Sequence, residues 1–364
     1  MTTRVFKLQI IIVSLFLAAP GVRAEFFAAG ELETNFISNT YLDDSKEWDL
    51  MVRPLGTVEC ELPAEMAVGY VGAAELYVRH TQLLFHEHEL YWLLNPYFGA
   101  EEQHNWLLGV QIQAQKSTDN FRMVNLISPL LELSLSMEPL YWWYIEIGAT
   151  EEYRWYPNDS ASDSFDTWGL LSTTLSSPSR TSLTLRFALG YRYYIHPVYL
   201  VEEPTDQQLK TGARIAQGIT ENTGLWVDYE YQYAFDENNI VLQQVDNVEL
   251  NVVGESFLYS GHQVKGGMKH VTPGFGELSL ELGYQNRTYA GIDVLDIDGL
   301  YTGETRVDDR VWGRVGARFE KEADSVSSLL LAMDISYRYM RQLSNDAWLD
   351  TDQHWVTLRF SIEH

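Results

Sequence analysis

The sequence predicts an all-β fold: a transmembrane, antiparallel, up-and-down β-barrel of about sixteen strands. Three observations predict it. Long segments alternate apolar and polar residues with a period of two. The connections between them alternate short and long. Beyond the N-terminus, no apolar run reaches the roughly 18 residues that a membrane-spanning helix needs.

The clearest segment is 182–195, SLTLRFALGYRYYI. Leu183, Leu185, Phe187, Leu189, Tyr191, Tyr193 and Ile195 share one face. Ser182, Thr184, Arg186, Ala188, Gly190 and Arg192 share the other. Residues 107–114, 225–235, 277–285 and 329–339 repeat the pattern. From the N-terminus, strands are expected near 26–38, 47–61, 66–80, 88–99, 104–116, 121–137, 140–155 and 166–176. They continue near 181–195, 208–219, 224–236, 257–271, 276–290, 307–320, 326–341 and 352–364. Several are near the roughly 9–11 residues of a tilted strand crossing a bilayer. Segments 26–38, 166–176 and 257–271 alternate poorly, so fourteen strands stay open. Pro54, Pro96 and Pro129 cannot donate to a ladder and predict bulges or breaks near the rims.

The tight connections are LPAE at 62–65, AEEQ at 100–103, Glu138-Pro139, SSPS at 176–179, TENT at 220–223, TPGF at 272–275 and KEADS at 321–325. Between them fall longer polar segments at 39–46, 81–87, 156–165, 196–207, 237–256, 291–306 and 342–351. Only the one near 117–120 is brief. Barrels of the bacterial outer membrane have this asymmetry, with long loops outside. Aromatic residues make up 13% of the chain, and they mass near strand ends: Trp106, Tyr141-Trp142-Trp143, Tyr337, Tyr339 and Trp355. Interfacial girdles need such side chains. The competing architecture is a soluble β-sandwich, which rarely needs so many long strands.

The N-terminus carries Arg4 and Lys7, then the apolar run LQIIIVSLFLAAP, then Val22-Arg23-Ala24. This is the build of a signal peptide over 1–24, cut after Ala24, leaving a barrel domain over 25–364. Its removal leaves 22 basic and 51 acidic residues, a net charge of −29. Such a charge disfavours nucleic acid as a partner. The single cysteine, Cys60, excludes an intrachain disulfide and reads as a strand side chain facing lipid or a neighbour.

The leader, the alternating strands, the loop asymmetry and the C-terminus together resemble bacterial outer-membrane β-barrel proteins, with a porin-like strand count. The C-terminal stretch is WVTLRFSIEH, with Val356, Leu358, Phe360 and Ile362 on one face. It ends on His364, where that class carries a terminal aromatic. The resemblance implies an outer-membrane location, lipid around the wall and insertion by the barrel assembly machinery. It also implies a channel through which small polar or charged solutes diffuse. A homo-oligomer is compatible with it, and the alternative function is a non-conducting envelope barrel for assembly, export or adhesion. A barrel hydrolase is a third.

Parity places Arg186, Arg192, Arg214, Arg310, Arg314, Arg318, Arg338, Glu146, Asp228, Glu230, Glu281 and Asp334 on inward faces, as candidate pore-lining residues. Charges of both signs are costly in an apolar core and cheap beside water. Arg310, Arg314 and Arg318 recur on one strand and suggest a cationic ladder facing carboxylates across a constriction. The alternative is that these charges pair and stiffen the wall. Loop 237–256 is a candidate plug.

No catalytic set, cofactor motif or metal site is expected. His86-Glu87-His88 has two imidazoles on one face but falls in an expected outer loop without a third ligand. Asp293, Asp296, Asp298 and Gly299 lack the spacing and closing glutamate of a calcium loop.

Overall fold

A computed structural model describes residues 25–38, 47–99, 103–118, 122, 125–196, 205–235, 259–296, 300–322, 330–346 and 349–363. The leader, loop 237–256, Asp298, Gly299 and His364 lie outside them.

The strands are β1 (Glu25–Ile37), β2 (Asp49–Leu62), β3 (Met66–Tyr77), β4 (Phe85–Leu94) and β5 (Tyr97–Phe98). Next come β6 (His104–Ser117), β7 (Leu126–Leu140), β8 (Trp143–Arg154), β9 (Ser164–Ser177), β10 (Thr181–Tyr194) and β11 (Thr205–Gly218). The last six are β12 (Thr223–Ala234), β13 (Ser260–Thr272), β14 (Gly276–Leu295), β15 (Tyr301–Glu322), β16 (Leu330–Ser344) and β17 (Thr351–Glu363). The short β5 continues β4 beyond Asn95-Pro96 and pairs with the same neighbour, β6. The wall is therefore a closed barrel of sixteen staves. Every pair is antiparallel, and β1 closes the ring by pairing with both β2 and β17.

The burial pattern is inverted relative to a water-soluble protein. Leu185, Phe187, Leu189, Leu282 and Val315 are exposed on the outside. Asp49, Gln208, Asp308 and Gln342 are almost completely buried on the inside. A soluble sheet would not leave such a continuous apolar surface uncovered. A closed barrel in lipid satisfies it and leaves no unpaired edge. The expected sandwich alternative is thus excluded.

Each proline interrupts the ladder locally. The β2–β3 pairing skips Arg53 and Pro54. Pro129 pairs with β6, but β7–β8 pairing resumes only at Leu130. Pro96 separates β4 from β5. Pro54 lies in mid-strand, however, and not at a rim.

Three further expectations are corrected. The outer segment 291–306 is mostly strand, because β14 runs to Leu295 and β15 starts at Tyr301. A register shift between Tyr289 and Asp293 breaks the period of two there and hid the strand. His86-Glu87-His88 is not in a loop but in β4, where both imidazoles face outward. Arg122, expected within a strand, precedes β7.

Candidate solute pathway

All the candidate pore-lining residues lie on the inner face, but their surroundings differ. Arg192 is not exposed to the lumen. Its Nε and Nη2 each donate to Asp166 at 2.7 Å, and the two side chains are 4% and 1% exposed. Arg154 joins them, 2.9 Å from Glu152 and 3.4 Å from Asp166. Beside them Tyr194 donates to Asp206 at 2.6 Å. This sealed network sits at the outer end of β8–β11. Just beyond β8, burial pushes the Tyr156 phenol above the usual tyrosine range. Arg310 is likewise buried, donating to Gln342 at 2.5 Å. Asp228 is buried and accepts from Arg186 at 2.5 Å.

Nearer the inner end, strand register builds a belt of alternating sign. Glu277, Arg318, Asp334, Arg359, Glu33 and Arg53 stand directly opposite one another across β14, β15, β16, β17, β1 and β2. Arg53 extends the belt to Glu75 at 3.6 Å and Glu87 at 3.2 Å. Arg359 pairs with Glu33 and, at 3.2 Å, with Glu31. The expected ladder of Arg310, Arg314 and Arg318 therefore does not act as a unit. Arg310 is hydrogen-bonded to Gln342, and Arg318 lies in the belt and pairs with Glu320 at 2.6 Å.

Arg314 differs. It lies between Glu281 on β14 and Arg338 on β16 in the register. Like charges directly opposite on a sheet repel. Arg314 reaches Ser336 Oγ at 3.3 Å, and Arg338 stacks its guanidinium 4.4 Å over Trp355. Neither makes an ion pair with a described residue. Both line a hollow of about 530 Å³ together with Glu33, Glu75, Tyr77, Lys265 and Glu281. Trp355, expected in a lipid girdle, faces this hollow instead.

Aromatic side chains shape the same wall. Tyr91, Trp168, Trp226 and Trp312 lie over Gly69, Gly190, Gly267 and Gly283 on adjacent strands. A Cβ at Gly283 would sit 2.1 Å from the Trp312 ring, so only glycine lets the indole lie flat. Trp312 Nε1 then donates to Glu281 at 3.1 Å. Lys210 and Arg214 lie 4.9 Å over Trp168 and Trp226. Cation–π contact holds these cations against the wall. Neither the aromatic–glycine pairs nor the belt was read from the sequence, because both depend on cross-strand register.

The two halves of the lumen differ in sign. The inner faces of β2–β8 carry Glu59, Glu75, Glu87, Glu89, Glu132 and Glu146 against the cations Arg53 and Arg154 among the described residues. Opposite them, β10–β17 carry Arg186, Lys210, Arg214, Lys265, Arg314 and Arg338, with interspersed acids. Among the described residues no group of three His, Cys, Asp or Glu is placed to hold a metal.

No protein-family model matches the chain, and no curated protein is similar in sequence. Solved structures do share its fold. OccK5 (OpdH) of Pseudomonas aeruginosa superposes with a TM-score of 0.52 at 9% identity, over 93% of this chain and 98% of that one. OccAB1 of Acinetobacter baumannii gives 0.52 at 9% identity, over 93% and 96%. OccAB4 of the same organism gives 0.50 at 10% identity, over 93% and 98%. The chain thus shares the closed β-barrel fold of these structures.

Proposed function

We propose that this barrel is an outer-membrane channel through which small polar or charged solutes diffuse. The observation that carries the reading is the two-signed inner wall around Arg314 and Arg338. A purely structural wall gains nothing from two opposed arginines that make no ion pair with a described residue. Beside water their charge is cheap, and they are available to a passing anion. The acidic arc of β2–β8 faces them across the lumen. A solute with separated charges can turn its ends to opposite walls, while an apolar one gains nothing. The likeness of fold to the Pseudomonas and Acinetobacter barrels supports the same reading. In this reading lipid surrounds the exposed Leu, Val and Phe of the outer face, and no catalytic chemistry is required.

Ion conductance of the purified barrel in planar bilayers is the test. Discrete current steps whose reversal potential moves when Arg314 is neutralised are expected. No current in any orientation or salt would leave a non-conducting envelope barrel as the better reading.

A further inference from the structure

Residues His86, His88 and Lys116 form a nitrogen-rich polar patch, with the Lys116 ammonium as its charge, on the outside of the wall. His86 stands directly opposite Lys116 across the β4–β6 ladder, and His88 stands opposite Ala114. The next outward pairs are Leu90 with Ile112 and Trp92 with Val110, so the patch continues an apolar face. Its flanks are Ala74 on β3 and Ile127 on β7. Lys116 and His88 are exposed.

The height of the patch follows from geometry. From Trp106 at the inner girdle to Lys116 is about 33 Å along the strand at ~3.3 Å per residue. A tilt of about 40° turns that into a rise of roughly 25 Å, the height of the apolar band. The patch therefore sits where hydrocarbon gives way to headgroups, at the long-loop end.

Charge compensation separates Lys116 from other outward charged groups at that level. Arg341 pairs with Asp350 at 2.7 Å and with Asp352 at 3.7 Å. Glu151 accepts from Thr167 and Asp309 from Tyr284. Lys116 makes no ion pair or hydrogen bond with a described residue, and a histidine faces it where a carboxylate would be stabilising. Meanwhile Tyr70 Oη lies 2.7 Å from His88 Nδ1, and the rings stack. With the phenol donating, the ring proton is on Nε2, as a donor away from Tyr70.

We propose that His86, His88 and Lys116 bind the phosphate of a phosphorylated lipid headgroup in the outer leaflet. An ammonium and two imidazoles on two neighbouring strands supply N–H donors, and phosphate is an acceptor of complementary charge. The site rests on the membrane-embedded reading but not on conduction. Conductance measured on the same variants keeps the failure of either distinguishable.

The test titrates the full barrel in neutral detergent, without divalent cations. The probes are bisphosphorylated lipid A, its dephosphorylated counterpart and inorganic phosphate. Saturable binding of the bisphosphorylated lipid alone is expected. Lys116→Gln should weaken it about fivefold, the value of one cation near an anionic surface, and the triple change H86Q/H88Q/K116Q should abolish it. Lys321→Gln, outward at the opposite end of β15, should leave it unchanged. Equal binding of the dephosphorylated lipid, or of free phosphate, overturns the proposal. So does a Lys116→Gln barrel that binds as tightly as the parent, or a loss at Lys321→Gln equal to that at Lys116→Gln. Lys116 is exposed, so that single variant keeps the fold intact if the triple one does not.

Discussion

Neutralising Arg314 should raise the preference of the channel for cations. The side chain is exposed on the inner face and makes no ion pair with a described residue. An anion passing about 5 Å from its guanidinium gains ~0.8 kcal/mol in water. At 0.1 M salt the Debye length is about 10 Å, which trims that to roughly 0.5 kcal/mol. The cation-to-anion permeability ratio should therefore rise about two- to fourfold in Arg314→Ala. The readout is the reversal potential across a bilayer with a salt gradient. Arg338→Ala adds to the effect, because Arg338 stands opposite Arg314 in the register. At 1 M salt, where screening acts over about 3 Å, the difference should nearly vanish. An unchanged reversal potential at 0.1 M refutes the reasoning. So does a shift that persists undiminished at 1 M, which would point to altered pore shape and not to charge.

Three further changes probe the wall. Asp166→Asn leaves Arg192 buried without its charge partner, and equilibrium unfolding in urea should show a loss of about 3–5 kcal/mol; a loss under 1 kcal/mol would mean that the network is hydrated. Leu185→Arg puts a charge into the hydrocarbon band and should cost about 2–4 kcal/mol in lipid, against little change on Leu185→Val. Gly283→Ala should push the Trp312 indole off the wall, lowering single-channel conductance while the barrel still folds; conductance equal to the parent's would show that the ring lies clear of the solute path.

The barrel was legible because its surroundings impose a period of two. Lipid on one side and water on the other sort Leu185 from Arg186, and the sorting repeats stave after stave. It fails where the ladder shifts, as between Tyr289 and Asp293, where β14 advances four residues against one on β15 and the odd excess reverses the parity. It also fails at the girdles. Trp355 and Trp106 look alike in sequence, both aromatic and near strand ends, yet Trp355 lies beneath Arg338 on the inner face while Trp106 is exposed on the outer one. The histidines of β4 misled for a related reason. Polar residues at a strand's outer end resemble a loop, although their backbone continues the ladder to Lys116.

Inward position is a one-strand property, but availability to a solute is a three-strand property. Arg192, Arg318 and Arg314 have the same parity and the same charge. The neighbour in register decides what each does. Asp166 and Asp206 flank Arg192 and seal it. Glu277 and Asp334 flank Arg318 and make it one member of a self-neutralising belt. Arg338 opposes Arg314, so two positive charges compete for Glu281, itself taken up by Trp312. The net field at that level is therefore set by few groups despite the many charges on the wall. A two-residue slip of β15 would keep every side chain on its face and leave the alternation intact. It would nonetheless exchange these neighbours, which is why the charge that the inner wall presents belongs to register and not to composition.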